Sequence, residues 1–168
     1  AYRGIVSENP RQRGNAIAGR SGVVLSAVFS PDGKTLATTD REGVIRLWHV
    51  ANRRLIGRLS GHSDAVHLTS FSPDGKTLAS SGWDRTVRVW RPGAGQAPEV
   101  LHGHEGWVRA VAWAPDGQRL ASGGDDCTVR VWDPAAGREV ARFGAASPVL
   151  AVAWSPDGRE VWAADNGG

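Results

Sequence analysis

The 168-residue chain has a single cysteine, Cys127, and no methionine. One cysteine rules out an intrachain disulfide framework and suits a reducing compartment, so a cytoplasmic location is expected. No apolar run approaches the roughly 20 residues that a membrane-spanning helix needs, and no secretory signal is visible. Charge of one sign is also scarce. Twenty Lys and Arg stand against 17 Asp and Glu, a net charge of +3, which argues against nucleic acid or membrane as partner. Non-repeating clusters of Asp, Glu or His are missing, so no catalytic residue and no cofactor is read. His102 and His104 fall on one side of a strand, but no carboxylate or cysteine set completes a metal site, and no metal is read. A start at Ala1 without methionine leaves open a segment of a longer protein or an engineered chain.

Turn residues are plentiful instead, with 22 Gly and 9 Pro. They recur in register. Ser30-Pro31-Asp32-Gly33, Ser72-Pro73-Asp74-Gly75, Ala114-Pro115-Asp116-Gly117 and Ser155-Pro156-Asp157-Gly158 are spaced 42, 42 and 41 residues apart. A fixed period near 40 means an array of similar units. The clearest unit opens at Gly61-His62. Ala65 to Phe71 predicts a strand, Pro73-Asp74-Gly75 a turn and Thr77 to Ser81 a second strand. Gly82 to Arg85 then predicts a tight turn and Thr86 to Trp90 a third strand, with β-branched residues in alternation. A Pro/Gly-rich loop leads to Glu99 to Leu101, a short fourth strand. Four antiparallel strands joined by tight turns make one blade of a β-propeller. Trp48, Trp90 and Trp132 stand 42 apart at the end of the third strand. Phe29, Phe71, Trp113 and Trp154 share the place before the Pro-Asp-Gly turn. Aromatics in so regular a register predict packing between blades.

The Gly-His opening, the Ser-Pro-Asp-Gly turn and the ending Val129-Arg130-Val131-Trp132-Asp133 resemble WD-repeat (WD40) β-propellers, in a bacterial-type form, and the resemblance covers essentially the whole chain. The Ala, Gly and Arg richness points the same way, to a high-GC bacterial source. The resemblance implies an all-β fold of four-stranded antiparallel blades, three complete and one split between the termini. It also implies a buried polar network in each blade: His62, Ser80, Asp84 and Trp90 in one, His104, Ser122, Asp126 and Trp132 in the next. Such groups can satisfy one another once buried. The His/Ser/Asp set looks like a hydrolase triad, but its recurrence in each blade points to structure. Two blades depart from the pattern. In the first, Arg20 and Glu42 stand at the His and Asp positions beside Thr38 and Trp48, so an Arg–Glu pair is expected there. In the last, Ala145 replaces the His and the turn from Asp165 is degenerate, so a weak blade is expected.

The expected boundaries make 1–168 a single array. Residues 1–20 would supply strands c and d of the split blade, counting a to d outwards from the ring centre, because Val6 stands 42 before Trp48. Blades would follow over 21–61, 62–103 and 104–144, and 145–168 would supply the missing a and b strands. The total is four times 42. Three readings stand. Two chains pair so that each C-terminal a–b pair meets the partner's c–d pair in an eight-bladed ring; the chain is a fragment of a longer propeller; or it closes alone on four blades.

Recognition is expected on the face formed by b–c turns and d–a loops, whose tips are free of packing duty. The residue before each turn acid is Arg41, Trp83 or Asp125. The d–a loops and strand starts contribute Val23, Ala65, Trp107 and Pro148, then Leu25, His67, Arg109 and Leu150. Trp83, Trp107 and Arg109 have the composition of an interface hot spot, with Arg41, His67 and Asp125 around them. Trp107 could equally lid its own blade. Cys127, in a turn between Asp126 and Thr128, is read as incidental. Arg53, Arg54 and Arg58 are read as a solvated outer edge. The expected function is a non-enzymatic scaffold for protein or peptide. A self-assembling unit whose partner is its own copy is the first alternative. A channel-sited enzyme is the second, and it would need a polar constellation that breaks the repeat.

Overall fold

The computed structural model describes residues 23–167, all strand, turn and loop with no helix among them. Three four-stranded antiparallel sheets follow one another along the chain. The first blade comprises β1 (Val24–Phe29), β2 (Thr35–Asp40), β3 (Val44–His49) and β4 (Arg54–Ser60). The second comprises β5 (Val66–Phe71), β6 (Leu78–Gly82), β7 (Val87–Trp90) and β8 (Glu99–Leu101). The third comprises β9 (Val108–Trp113), β10 (Leu120–Gly124), β11 (Thr128–Asp133) and β12 (Arg138–Gly144). A two-stranded sheet of β13 (Val149–Trp154) and β14 (Val161–Asp165) ends the described chain. The strands expected within 1–20 lie outside the described residues.

β14 runs to Asp165, which pairs with Val149. Glu160 belongs to the turn, because its amide donates to Ser155 Oγ at 2.9 Å. The Ser-Pro-Asp-Gly turns are built alike. In the second blade Ser72 Oγ donates to Asp74 Oδ1 (2.6 Å), whose second role is to accept from the Lys76 amide (3.0 Å). Gly75 closes the turn with φ +71°, a conformation that costs other residues about 1–2 kcal/mol.

The core lies between blades rather than within them. One cluster joins Ala79, Val87, Val89 and Leu101 of the second blade to Val108, Val111, Leu120 and Trp132 of the third, with Trp113 against it. A matching cluster joins Ala37, Ile45 and Leu47 of the first blade to Val66, Leu78 and Trp90 of the second, with Val28, Leu59 and Phe71 packed on it. Alternation explains this: successive residues of a strand face opposite blades. The tryptophans before the third and fourth of these turns also tie their sheets to the preceding blade. Trp113 Nε1 donates to Ser70 O and Trp154 Nε1 to Ala112 O, both at 3.1 Å.

Each innermost strand is bulged just after its first valine, at Leu25, His67, Arg109 and Leu150. A bulge leaves one residue unpaired and re-aims its side chain. Here the displaced residues stand beside the b–c turns, where the candidate site is built.

Candidate functional site

Beneath that face each full blade carries a chain of hydrogen bonds. His62 Nδ1–H donates to the Asp84 carboxylate, 2.9 Å from both oxygens. His62 Nε2 accepts from Ser80 Oγ (2.7 Å), and Ser80 Oγ accepts from Trp90 Nε1 (2.8 Å). The third blade repeats it: His104 to Asp126 at 3.0 and 2.9 Å, Ser122 to His104 at 2.8 Å and Trp132 to Ser122 at 2.8 Å. Ser80 and Ser122 are fully buried, and each hydroxyl is engaged by both His and Trp, so neither is placed to attack a substrate. Burial opposes ionisation of Asp84, yet the His62 hydrogen bond and charge, with bonds from Thr86 and the Ser63 amide, hold the carboxyl well below the usual range. Burial pushes His104 below its ordinary value against the pull of Asp126. Gly82 makes the arrangement possible: a Cβ there would stand 2.5 Å from Asp84 Oδ1 and closer still to His62 Nδ1.

Of the Arg20–Glu42 pairing expected in the first blade, only the Glu42 half falls among the described residues. Glu42 is exposed, and its carboxylate comes within only 4.0 Å of Arg46; Arg20 lies outside the described residues. The acid that acts is Asp40, which the sequence reading passed over. Asp40 is buried, pairs with Arg46, and accepts from the Glu42 and Val44 amides at 3.0 and 3.1 Å. It stands where the other blades have Gly82 and Gly124, which was the signal available in the sequence. Trp48 Nε1 still donates to Thr38 Oγ1 (2.9 Å). In the last sheet Ala163 and Gly167 occupy the Ser and Asp positions, beside Ala145 at the His position.

Above the networks, Trp83 and Trp107 meet across the boundary between the second and third blades. Their rings stack with centroids 4.3 Å apart and planes 4° from parallel. The backbone fixes both. Trp83 N donates to Ala65 O and Asp125 N to Trp107 O, each at 2.9 Å. Arg109 places its guanidinium 5.7 Å from the Trp107 ring centre and grips Asp125 in a two-point ion pair, with Nη2 to Oδ2 at 2.8 Å and Nε to Oδ1. That hydrogen bond holds the Arg109 pKa above its ordinary value. His67 Nδ1–H donates to Arg109 O (2.8 Å), so the bulges of neighbouring blades are joined. Trp83, Trp107, Arg109, His67 and Asp125 thus form one connected group. Trp107 remains 41% exposed, and Trp83 Nε1 is buried without an acceptor among the described residues. Arg41 is exposed on the equivalent turn of the first blade, apart from this group in every contact described.

The family model described as "WD domain, G-beta repeat" matches residues 13–49, 53–91 and 95–133. The chain belongs to the WD40 family. Its WD40 blades superpose on the solved structure titled "Structure of U3-55K" with a TM-score of 0.76 and 26% sequence identity. The match covers 81% of this chain and 44% of that one, so this WD40 chain spans about half the length of that relative. Comparison with curated proteins returned no match.

Proposed function

We propose that this WD40 chain is a non-enzymatic protein-interaction platform that takes a protein or peptide on its loop face at the Trp83–Trp107 stack. The observation that carries this reading is the stack itself. Two tryptophans outside the 42-residue core register come together face to face, and one stays partly open to solvent. A buried indole N–H without an acceptor costs about 1–3 kcal/mol, so stability alone does not select Trp83. A flat, rigid aromatic surface beside an immobilised arginine is what interface hot spots use. Because Asp125 already holds Arg109, the platform is preorganised, and little side-chain entropy is lost when a ligand docks.

The test is to pan a peptide-display library against the chain and re-measure the selected peptides on Trp107→Ala and Trp83→Ala. Binding is expected to fall at least tenfold while Trp107→Ala lowers the unfolding free energy by about 1 kcal/mol, the worth of an aromatic pair. Peptides that bind both variants as well as the parent would place recognition elsewhere.

A second reading, self-association into a closed ring, is favoured by a separate observation. β14 pairs only with β13 among the described residues, and Trp162 within it is 65% exposed. Unpaired strand edges and open apolar faces promote association. Light scattering that reports twice 17.8 kDa at all dilutions supports it; the monomer mass overturns it.

A further inference from the structure

We propose that the ligand of the loop face is a basic peptide segment, anchored by an arginine whose guanidinium lies on the open side of Trp107; this rests on the platform reading and names its ligand class. One side of the Trp107 ring is covered by Trp83, with centroids 4.3 Å apart. Trp107 is nonetheless 41% exposed, so what it offers to solvent is its other side and its rim. Arg109 does not fill that side. Its guanidinium carbon stands 5.7 Å from the ring centre, close to the limit of about 6 Å for a cation–π contact. The two-point pair with Asp125 holds it there.

The charge of the face selects the sign of the ligand. Among the described residues of the b–c turns and d–a loops, Asp40, Asp84, Asp125 and Asp126 are each matched by an arginine. Beyond those four, Glu42, Asp64, Glu105 and Asp165 stand against Arg41 and Arg85. The face is therefore acidic on a chain whose net charge is +3. Two of the surplus acids flank the stack. Asp64 precedes Ala65, whose carbonyl accepts from the Trp83 amide. Its Oδ1 accepts from the Ala65 amide at 2.7 Å, and the side chain stays exposed. Glu105 stands two residues before Trp107, and its amide donates to Asp126 Oδ2 at 3.0 Å. Gly106 lets this loop close on the third blade, since a Cβ there would stand 2.7 Å from the Asp126 amide nitrogen. The loop backbone is thus pinned while the Glu105 side chain is left in solvent.

These features favour one kind of side chain. The face of an indole ring is electron-rich and attracts a cation, and carboxylates around it steer the same charge in. A neutral apolar side chain on Trp107 would draw Asp64 and Glu105 out of water with nothing in return. An acidic one would meet like charge. Of the two basic side chains, arginine fits better. Its planar guanidinium lies flat on an aromatic ring and keeps its N–H edge free for a carboxylate, which a lysine ammonium cannot do. Asp125 has a second part in this arrangement. By neutralising Arg109 it removes the positive charge that stands beside the ring and would repel the ligand.

The experiment takes the peptides selected by display on the full chain and titrates them by fluorescence anisotropy. Peptides that depend on Trp107 are expected to share one arginine. Changing that arginine to glutamine should cost at least about tenfold in affinity on the parent, and less than about threefold on Trp107→Ala. Affinity should fall as salt rises from roughly 50 to 500 mM, where charges more than a few ångströms apart no longer feel one another. Peptides that depend on Trp107 but carry no basic residue would overturn the cationic ligand while the platform reading stands. Peptides that bind Trp107→Ala and Trp83→Ala as well as the parent would overturn both. Glu105→Lys is a second variant, at an exposed side chain outside the hydrogen-bonded networks. It is expected to weaken the arginine peptide at least about fivefold with the unfolding midpoint of the parent, and unchanged affinity would contradict the proposal.

Discussion

Ser80 and Ser122 each donate one hydrogen bond and accept another in a buried chain, and the middle of that chain responds differently to mutation from its tryptophan end. Ser122→Ala orphans His104 Nε2 and Trp132 Nε1 together, at about 1–3 kcal/mol for each. Trp132→Phe removes only one donor and leaves the His104–Ser122 bond, so its hydrogen-bond cost is about 1 kcal/mol. Urea unfolding should rank Ser122→Ala as the more damaging; the reverse order would mean that the serine is not the junction. Acid should act through the same chain. His104 is held below its ordinary value of 6.5, so as pH falls past 6.5 the unfolded chain takes up a proton before the folded one, and stability is lost from there downward. Asp126 and Asp84 are held below 3.8, so their contribution is present above that pH and lost as the pH falls below it. The urea midpoint should decline between pH 6.5 and 5, less so in His104→Gln. A flat profile across that range would contradict a buried neutral histidine.

At the scale of one blade, the turn between the second and third strands is a packing problem as much as a conformational one. Gly82 and Gly124 leave room for the histidine and the turn acid, and the first blade fills the same space with Asp40. Gly82→Ala should therefore cost about 1–3 kcal/mol, the usual range for overpacking a close-packed site. A neutral result by thermal unfolding would mean that His62 and Asp84 can move apart. The Asp40 arrangement was legible only in part. The sequence shows a charged residue where two blades have glycine, but the 42-residue register points to Glu42. What decides between them is burial: the strand end carries Asp40 inwards to Arg46, while the turn carries Glu42 into solvent.

At the scale of the whole molecule, stability is shared between neighbours, because each apolar cluster takes half its residues from one blade and half from the next. Such arrays weaken towards an uncovered end. Amides of β14 that point away from β13 should exchange with deuterium fastest among the described strands in dilute solution, and gain protection as concentration rises. Protection independent of concentration would argue against a second chain at that edge.

The period, the four-strand unit and the aromatic positions could be read from the sequence, and the resemblance to WD40 repeats implied the members of the His62 and His104 networks. Each recurs, and a recurring pattern of turn and β-branched residues has few folded solutions. Tertiary structure alone decided what does not repeat. It brought Trp83 onto Trp107, fastened Arg109 to Asp125 and His67, and buried Asp40 against Arg46 from the position that is glycine in the other blades. Those contacts depend on how neighbouring blades are rotated and on where a bulge aims a side chain, and neither is encoded in the spacing of residues along the chain.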